Sequence, residues 1–213
     1  MSRGKRLLDV LLALLLGVVL LPVLAAIALL AWAMQGRPIL YGSERMRAPG
    51  EGFTLWKVRT MAADPGDSGV TGGDKAARIT PLGRRLRRLR LDELPQLWNV
   101  LRGDVSFVGP RPPLRGYVEL RPELYASVLR SRPGVTGLAS LVYAAHEERI
   151  LAACATPKET EAAYLRRCVP RKAALDLIYQ RNRSLRLDLW LIGWTAARFL
   201  PRRMRPRRKG RPL

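Results

Sequence analysis

Asp92 and Glu93 are adjacent carboxylates that follow directly on Arg84, Arg85, Arg87, Arg88 and Arg90. Guanidinium groups grip phosphate in bidentate fashion, and a carboxylate oxygen can attack a phosphorus atom whose charge they neutralise. The pairing points to phosphoryl chemistry through an aspartyl-phosphate type intermediate. The same spacing also reads as a helix start, with Asp92 as N-cap, Leu94, Leu97, Trp98 and Leu101 on the buried side, and Gly103 as the stop. On spacing alone, capping and chemistry both stand. A helix N-terminus beside arginines is an anion site and should keep a carboxylate there ionised. A second rigid cation lies in Gly109-Pro110-Arg111-Pro112-Pro113, where prolines fix the backbone on both sides of Arg111.

The elements that must position these groups are legible nearby. Thr80-Pro81 opens a helix as N-cap and first-turn proline, with Leu82, Leu86 and Leu89 on one stripe and arginines over the rest. Such a basic amphipathic helix suits an anionic bilayer surface or, equally, a solvated face. Residues 39–41 and 53–58 read as short strands around a turn at 48–52, and 62–75 as a loop. Val105 to Val108 leads into the Arg111 loop. Pro133 to Gly137 reads as a turn before a strand over Leu138–Tyr143. A helix follows over roughly residues 158–180, then an amphipathic stretch, Leu185–Leu200, carrying Trp190 and Trp194.

The chain has 213 residues, with 38 Lys+Arg against 17 Asp+Glu, a net charge of +21 and 48% hydrophobic residues. So much apolar surface excludes a disordered polyampholyte. Residues 1–6 and 201–213 hold ten of the basic residues; without them 28 remain against 17 acidic ones, so the body itself attracts phosphates, whether of nucleic acid, an anionic membrane or a small substrate. Two cysteines, Cys154 and Cys168, do not make a disulfide framework, and the lone His146 excludes a site with two imidazole ligands.

Val10 to Met34 carries no formal charge over 25 residues, long enough as a helix to exceed the ~30 Å hydrocarbon core of a bilayer. A signal peptide, a spanning helix and a re-entrant hairpin compete. The apolar run is longer than a signal peptide's. Pro22 near its middle and basic residues at both flanks favour the hairpin; a proline-kinked span is the alternative.

Together the motifs resemble the bacterial sugar transferases, the monotopic polyprenyl-phosphate phosphoglycosyl transferases, in their short catalytic-unit form. The resemblance rests on Lys5-Arg6 with Asp9, Glu44-Arg45, Phe53 through Met61, Leu91 to Val100, Gly103 to Pro112, and Pro133 to Gly137. It implies a mostly helical α/β monotopic membrane protein: a re-entrant helix-break-helix hairpin over residues 1–36, broken at Pro22; a small cytoplasmic α/β catalytic body over 37–200 with amphipathic surface helices; and a basic disordered tail over 201–213. The location implied is the bacterial inner membrane, with the body facing the cytoplasm.

The implied chemistry is transfer of a phospho-sugar from a nucleotide sugar, such as a UDP-sugar, to polyprenyl phosphate. Asp92 would be the nucleophile and a Mg²⁺ ligand, and Glu93 its partner and a base. Arg87, Lys57, Arg59 and the Pro110-Arg111-Pro112 loop would contact phosphate and nucleotide. Inner-membrane lipids and downstream glycosyltransferases would be partners, and nucleic acid would not. Two positions depart from the family: Leu21 precedes Pro22 where members carry Ser, and Ala144 stands where many carry a phosphate-binding Arg, so either Arg149 substitutes or that clamp is missing. A non-catalytic basic membrane adaptor for nucleic acid or anionic lipid is the competing class, but it would gain nothing from carboxylates set among its cations.

Overall fold

The first helix, α1 (Arg3–Gln35), sets the layout of the computed structural model, which describes residues 1–62 and 78–198. The expected loop beyond Ala62 and the basic tail lie outside the described residues. Helix α1 runs without interruption through Pro22, so the expected break there is corrected. A proline removes one amide donor, and the flanking Leu and Ala residues, strong helix formers, carry the backbone past it. Its 33 residues extend roughly 50 Å.

One stripe of α1 touches the rest of the chain. Lys5, Asp9 and Ala13 are buried near its start, and Ile27 and Ala31 near its end, at helical spacing on one face. The other faces are apolar and exposed: Val18 is 73% and Leu21 63% accessible. On α9 (Leu185–Ala197), Leu185, Leu189 and Trp190 continue this exposed apolar surface beside the start of α1.

Strands β1 (Leu40–Ala48) and β2 (Glu51–Val58) form an antiparallel hairpin, longer than the sequence pattern predicts. Helix α2 (Pro81–Leu89) begins as expected, Thr80 Oγ1 accepting from the Gly83 amide. Leu82 and Leu86 are buried against Ile27, Ala31 and Val58, whereas Leu89 is exposed. Helix α3 (Gln96–Arg102) ends on Gly103 in the left-handed region, at φ 86°. Strand β3 (Ser106–Val108) pairs in parallel with β4 (Gly134–Thr136). The segment expected as a strand over Leu138–Tyr143 is instead the start of α6 (Leu138–Ala152). Its Leu and Ala residues suit a helix that buries Leu138, Ala139 and Leu141, and β4 comes from the Gly-Val-Thr that read as a turn. Short helices α4 (Arg115–Leu120) and α5 (Pro122–Val128) precede β4; α7 (Pro157–Ala163), a π turn over Tyr164–Cys168 and α8 (Val169–Asn182) follow α6.

The main core joins Ala13 of α1 to Leu55, Val100, Val105, Val108, Leu141, Tyr179 and Leu191. Polar contacts fasten the same helix. Lys5 Nζ donates to Asp188 Oδ2 at 2.7 Å in a buried pair, and Arg6 donates to the carbonyls of Val100 and Leu101, both at 2.6 Å. Asp9 Oδ1 accepts from Ser106 Oγ and the Phe107 amide, each at 3.1 Å. At the other end Arg59 donates to the Gln35 and Gly36 carbonyls, satisfying acceptors that a helix C-terminus leaves open.

Candidate active site

Asp92 and Glu93 lie in a 3₁₀ turn, Leu91–Glu93, between α2 and α3. Asp92 is therefore not the N-cap of α3, which starts after Pro95. The Leu94 amide closes a tight i→i+3 bond to the Leu91 carbonyl at 3.4 Å, and Pro95 has no amide to add a longer one to the same carbonyl. Arg90 turns the chain with a left-handed backbone, φ 55°, unusual for a residue with a side chain.

The two carboxylates have different surroundings. Glu93 Oε1 lies 3.3 Å from Lys57 Nζ and 3.6 Å from Arg111 Nη2, and its Oε2 lies 3.4 Å from Arg90 Nη1. Burial alone would raise its pKa, but Arg111, Lys57 and Arg90 outweigh it and hold Glu93 below the ordinary glutamate value. Asp92 is buried at 7% exposure and makes no ion pair with a described residue. Burial, then the Glu93 charge, push its pKa up against the pull of Lys57 and Arg87. Without a capping role, Asp92 lacks the helix-terminus stabilisation that the sequence pattern predicts for it. Burial also lowers the Lys57 ammonium against the pull of Glu93.

Each cation is placed by a separate element. Lys57 sits on β2, which Asn99 of α3 clamps: the Trp56 amide donates to Asn99 Oδ1 at 3.1 Å, and Asn99 Nδ2 donates to the Thr54 carbonyl at 2.8 Å. Arg87 Nε donates to Thr60 Oγ1 at 2.8 Å, so Arg87 is tethered beside the dyad. Gly83 lets α2 approach this closely, since a Cβ there would fall 2.1 Å from the Thr60 carbonyl oxygen. Arg59, also expected at the phosphates, donates to the Gln35 and Gly36 carbonyls at the end of α1.

The Arg111 loop is held by backbone on both sides. The Gly109 amide donates to the Thr136 carbonyl at 2.9 Å and the Gly134 amide to the Pro110 carbonyl at 2.8 Å. Gly109 and Gly134 are pressed together; a Cβ on Gly134 would lie 2.1 Å from the Gly109 nitrogen. Pro110 and Pro112 are buried while Arg111 is exposed, so the loop presents one guanidinium from a fixed base.

Beside Arg111 opens a cavity of about 430 Å³, walled by β1, the Arg111 loop, α6 and α8. Arg45, Tyr164, Glu147, Lys172 and Asp176 face it, none of which sequence reasoning placed at a site. Of these, Glu44-Arg45 was visible as part of a motif, but nothing in the pattern brought it near Arg111. Ala144 lines the cavity, while Arg149 bonds back to the Ala145 carbonyl at 3.3 Å and is exposed.

The donor set fits a magnesium ion in one way only. Among the described residues no group of three or more His, Cys, Asp or Glu side chains gathers, and Glu93 faces cations. Asp92 could give one oxygen ligand, which suits an ion that retains water and takes one or two carboxylates plus substrate phosphates.

A carboxylate pair among tethered cations, Asp92 buried and Glu93 half-buried, on a basic body fastened along a long apolar helix, is the arrangement a membrane-associated sugar transferase would need. The sequence profile of the family described as "Bacterial sugar transferase" matches residues 1–202, and the chain belongs to that family. It is 43% identical over 106 residues to the "Uncharacterized sugar transferase EpsL" of Bacillus subtilis, covering 50% of this chain and 52% of that protein. It is 40% identical over 141 residues to a UDP-glucose:undecaprenyl-phosphate glucose-1-phosphate transferase of Caulobacter vibrioides, covering 64% and 53%. To an undecaprenyl-phosphate glucose phosphotransferase of Komagataeibacter xylinus it is 33% identical over 202 residues, covering 91% and 35%. The chain thus spans about half the length of the first two relatives.

Proposed function

We propose that this chain transfers a sugar 1-phosphate from a UDP-sugar to polyprenyl phosphate at a bacterial inner membrane, with its body on the cytoplasmic side. The relatives' activities support the reaction class. The observation that carries the reading is the split between the carboxylates: Glu93 engaged by three cations, Asp92 buried and unpaired beside them.

In the first step an Asp92 carboxylate oxygen attacks the β-phosphorus, in line with the bridging oxygen. The bond from that phosphorus to the bridging oxygen breaks and UMP leaves with it. In the second, an oxygen of polyprenyl phosphate attacks the same phosphorus, the aspartyl bond breaks, and the carboxylate is restored. Arg111 and Arg87 hold the phosphates and balance charge that spreads over the phosphoryl oxygens. A raised pKa makes the ionised Asp92 the more basic nucleophile. Glu93, held at a low pKa, is a poor base; it keeps Lys57 and Arg111 in register instead. The acceptor needs little help, since a phosphate monoester has its second pKa near ~6. When bound, Mg²⁺ would supply charge neutralisation at the phosphates, held by Asp92 and the substrate.

The contact stripe on α1 supports a monotopic topology. Lys5, Arg6 and Asp9 at one end and Ile27 and Ala31 at the other are attached to the same basic body. A crossing helix would leave its two ends on opposite sides, and the body cannot follow both.

The test is UMP release from membranes holding the full chain with UDP-glucose, polyprenyl phosphate and Mg²⁺. Release that ceases in Asp92→Asn, with a phosphosugar adduct on the native Asp92 peptide by mass spectrometry, supports the reading. Unchanged release from that variant ends it.

A further inference from the structure

The cavity beside Arg111 has two chemically distinct ends. Arg45, Arg90 and Arg111 line it, and Arg90 and Arg111 both lie against Glu93. Burial lowers the pKa of Arg45, and the Arg111 charge lowers it further, so the two guanidinium groups sense each other. Arg111 has Glu93 as its counter-charge. Arg45 has no hydrogen bond or ion pair with a described residue, and its Nε is buried without a partner. Arg45 is half-buried, and a guanidinium whose Nε is shielded from water without a partner is stabilised by an anion that meets it. At the far end Lys172 is already occupied, 3.0 Å from Glu147 Oε2 and 3.3 Å from the Tyr164 hydroxyl, and Asp176 is buried beyond it.

We propose that Arg45, reaching into this cavity from β1, is a second clamp on the diphosphate of the nucleotide donor, in the place that α6 leaves empty at Ala144. This deepens the transfer reading and rests on it. The orphaned Arg45 gains the anion it lacks, and the Arg45–Arg111 pair brackets a diphosphate next to Asp92. Arg149 does not serve, because its guanidinium lies along α6, bonded to Ala145 and 3.4 Å from His146 Nδ1. The acceptor oxygens of Glu147 and Asp176 then face the uncharged, hydroxyl-bearing part of the same donor.

Two readouts test this on the full-length chain: steady-state kinetics with UDP-glucose, and the shift in thermal midpoint caused by UDP. Arg45→Gln is expected to raise the donor KM about tenfold or more with a smaller change in kcat, as loss of a charge-assisted bond requires. Arg45→Lys should recover part of that loss, and Arg149→Gln should keep the native KM. The UDP-induced shift should shrink in both Arg45 variants. A native KM and a native UDP shift in Arg45→Gln would overturn the proposal, as would an equal KM rise in Arg149→Gln. If Arg45→Gln does not fold, the lysine variant decides: a UDP shift equal to that of the native chain overturns the assignment, and a smaller one supports it. Absence of UMP release from the native chain would count against the transfer reading alone, because the UDP shift reports the clamp without turnover.

Discussion

Lys57 Nζ lies 3.3 Å from Glu93 Oε1, and through this contact a hairpin strand meets the turn that carries Asp92. The contact is partly buried, so removing one partner strands the other's charge. Lys57→Met should therefore lower kcat/KM by about tenfold or more while the fold persists, since Asn99 still clamps the strand. Native kinetics in that variant would separate Lys57 from the dyad's work.

In the proposed reaction Asp92 attacks as a carboxylate, and its pKa is raised by burial and by Glu93. Activity should decline as pH falls through a point above the ordinary aspartate range, giving an acid limb in kcat/KM. The same shift has a sign for stability. The folded chain binds the Asp92 proton more tightly than the unfolded one, so the ionised group disfavours folding at neutral pH. Asp92→Asn should be inactive yet at least as stable as the native chain near pH 7. A lower thermal midpoint in detergent would contradict this.

Asp176 titrates near the middle of the physiological range, raised to about 7 by burial against the pull of Lys172. It holds its proton in the folded chain over a window where the unfolded chain has lost it. Stability should fall as pH rises from the ordinary aspartate value toward 7 and then level off. Asp176→Asn should flatten that part of the profile, read by thermal unfolding between pH 5 and pH 8.

Lys5 and Asp188 form a buried pair, with Tyr179 donating to Asp188 Oδ1 at 2.6 Å. Lys5→Met should destabilise the chain by about 3–5 kcal/mol, because it leaves Asp188 uncompensated. The double variant with Asp188→Leu should cost less than the two single changes together. Additive losses would show that the two side chains act independently.

Single cysteines at Ser2 and Gly36 test how α1 sits in the membrane. Both should react with an impermeant thiol reagent from the same side of sealed vesicles. Labelling from opposite sides would establish a crossing.

The motifs that sequence made legible are those whose geometry is local. Thr80-Pro81 caps a helix by contacts within four residues, and Gly103 ends one. The two carboxylates were identifiable because their neighbours in sequence are also neighbours in space. Asp92 misled as a cap because a tight 3₁₀ turn over Leu91–Glu93 separates it from α3, and such a turn carries the same residue types as a helix start. Leu138–Tyr143 misled because short apolar runs fit either period, and only its packing in the main core settles it. Arg45 and Lys172 were invisible as site residues because they are 127 positions apart in the chain and are brought together only as linings of one cavity. Nor could sequence show that Arg59 donates to carbonyls at the end of α1.

With α1 lying in one leaflet as proposed, its anchorage to the body at both ends would fix the height of Asp92 relative to the headgroup plane. An acceptor confined to that leaflet would then reach the carboxylate by two-dimensional diffusion, without being extracted from the lipid. The second half-reaction should follow the mole fraction of polyprenyl phosphate in the vesicle rather than its concentration in the tube.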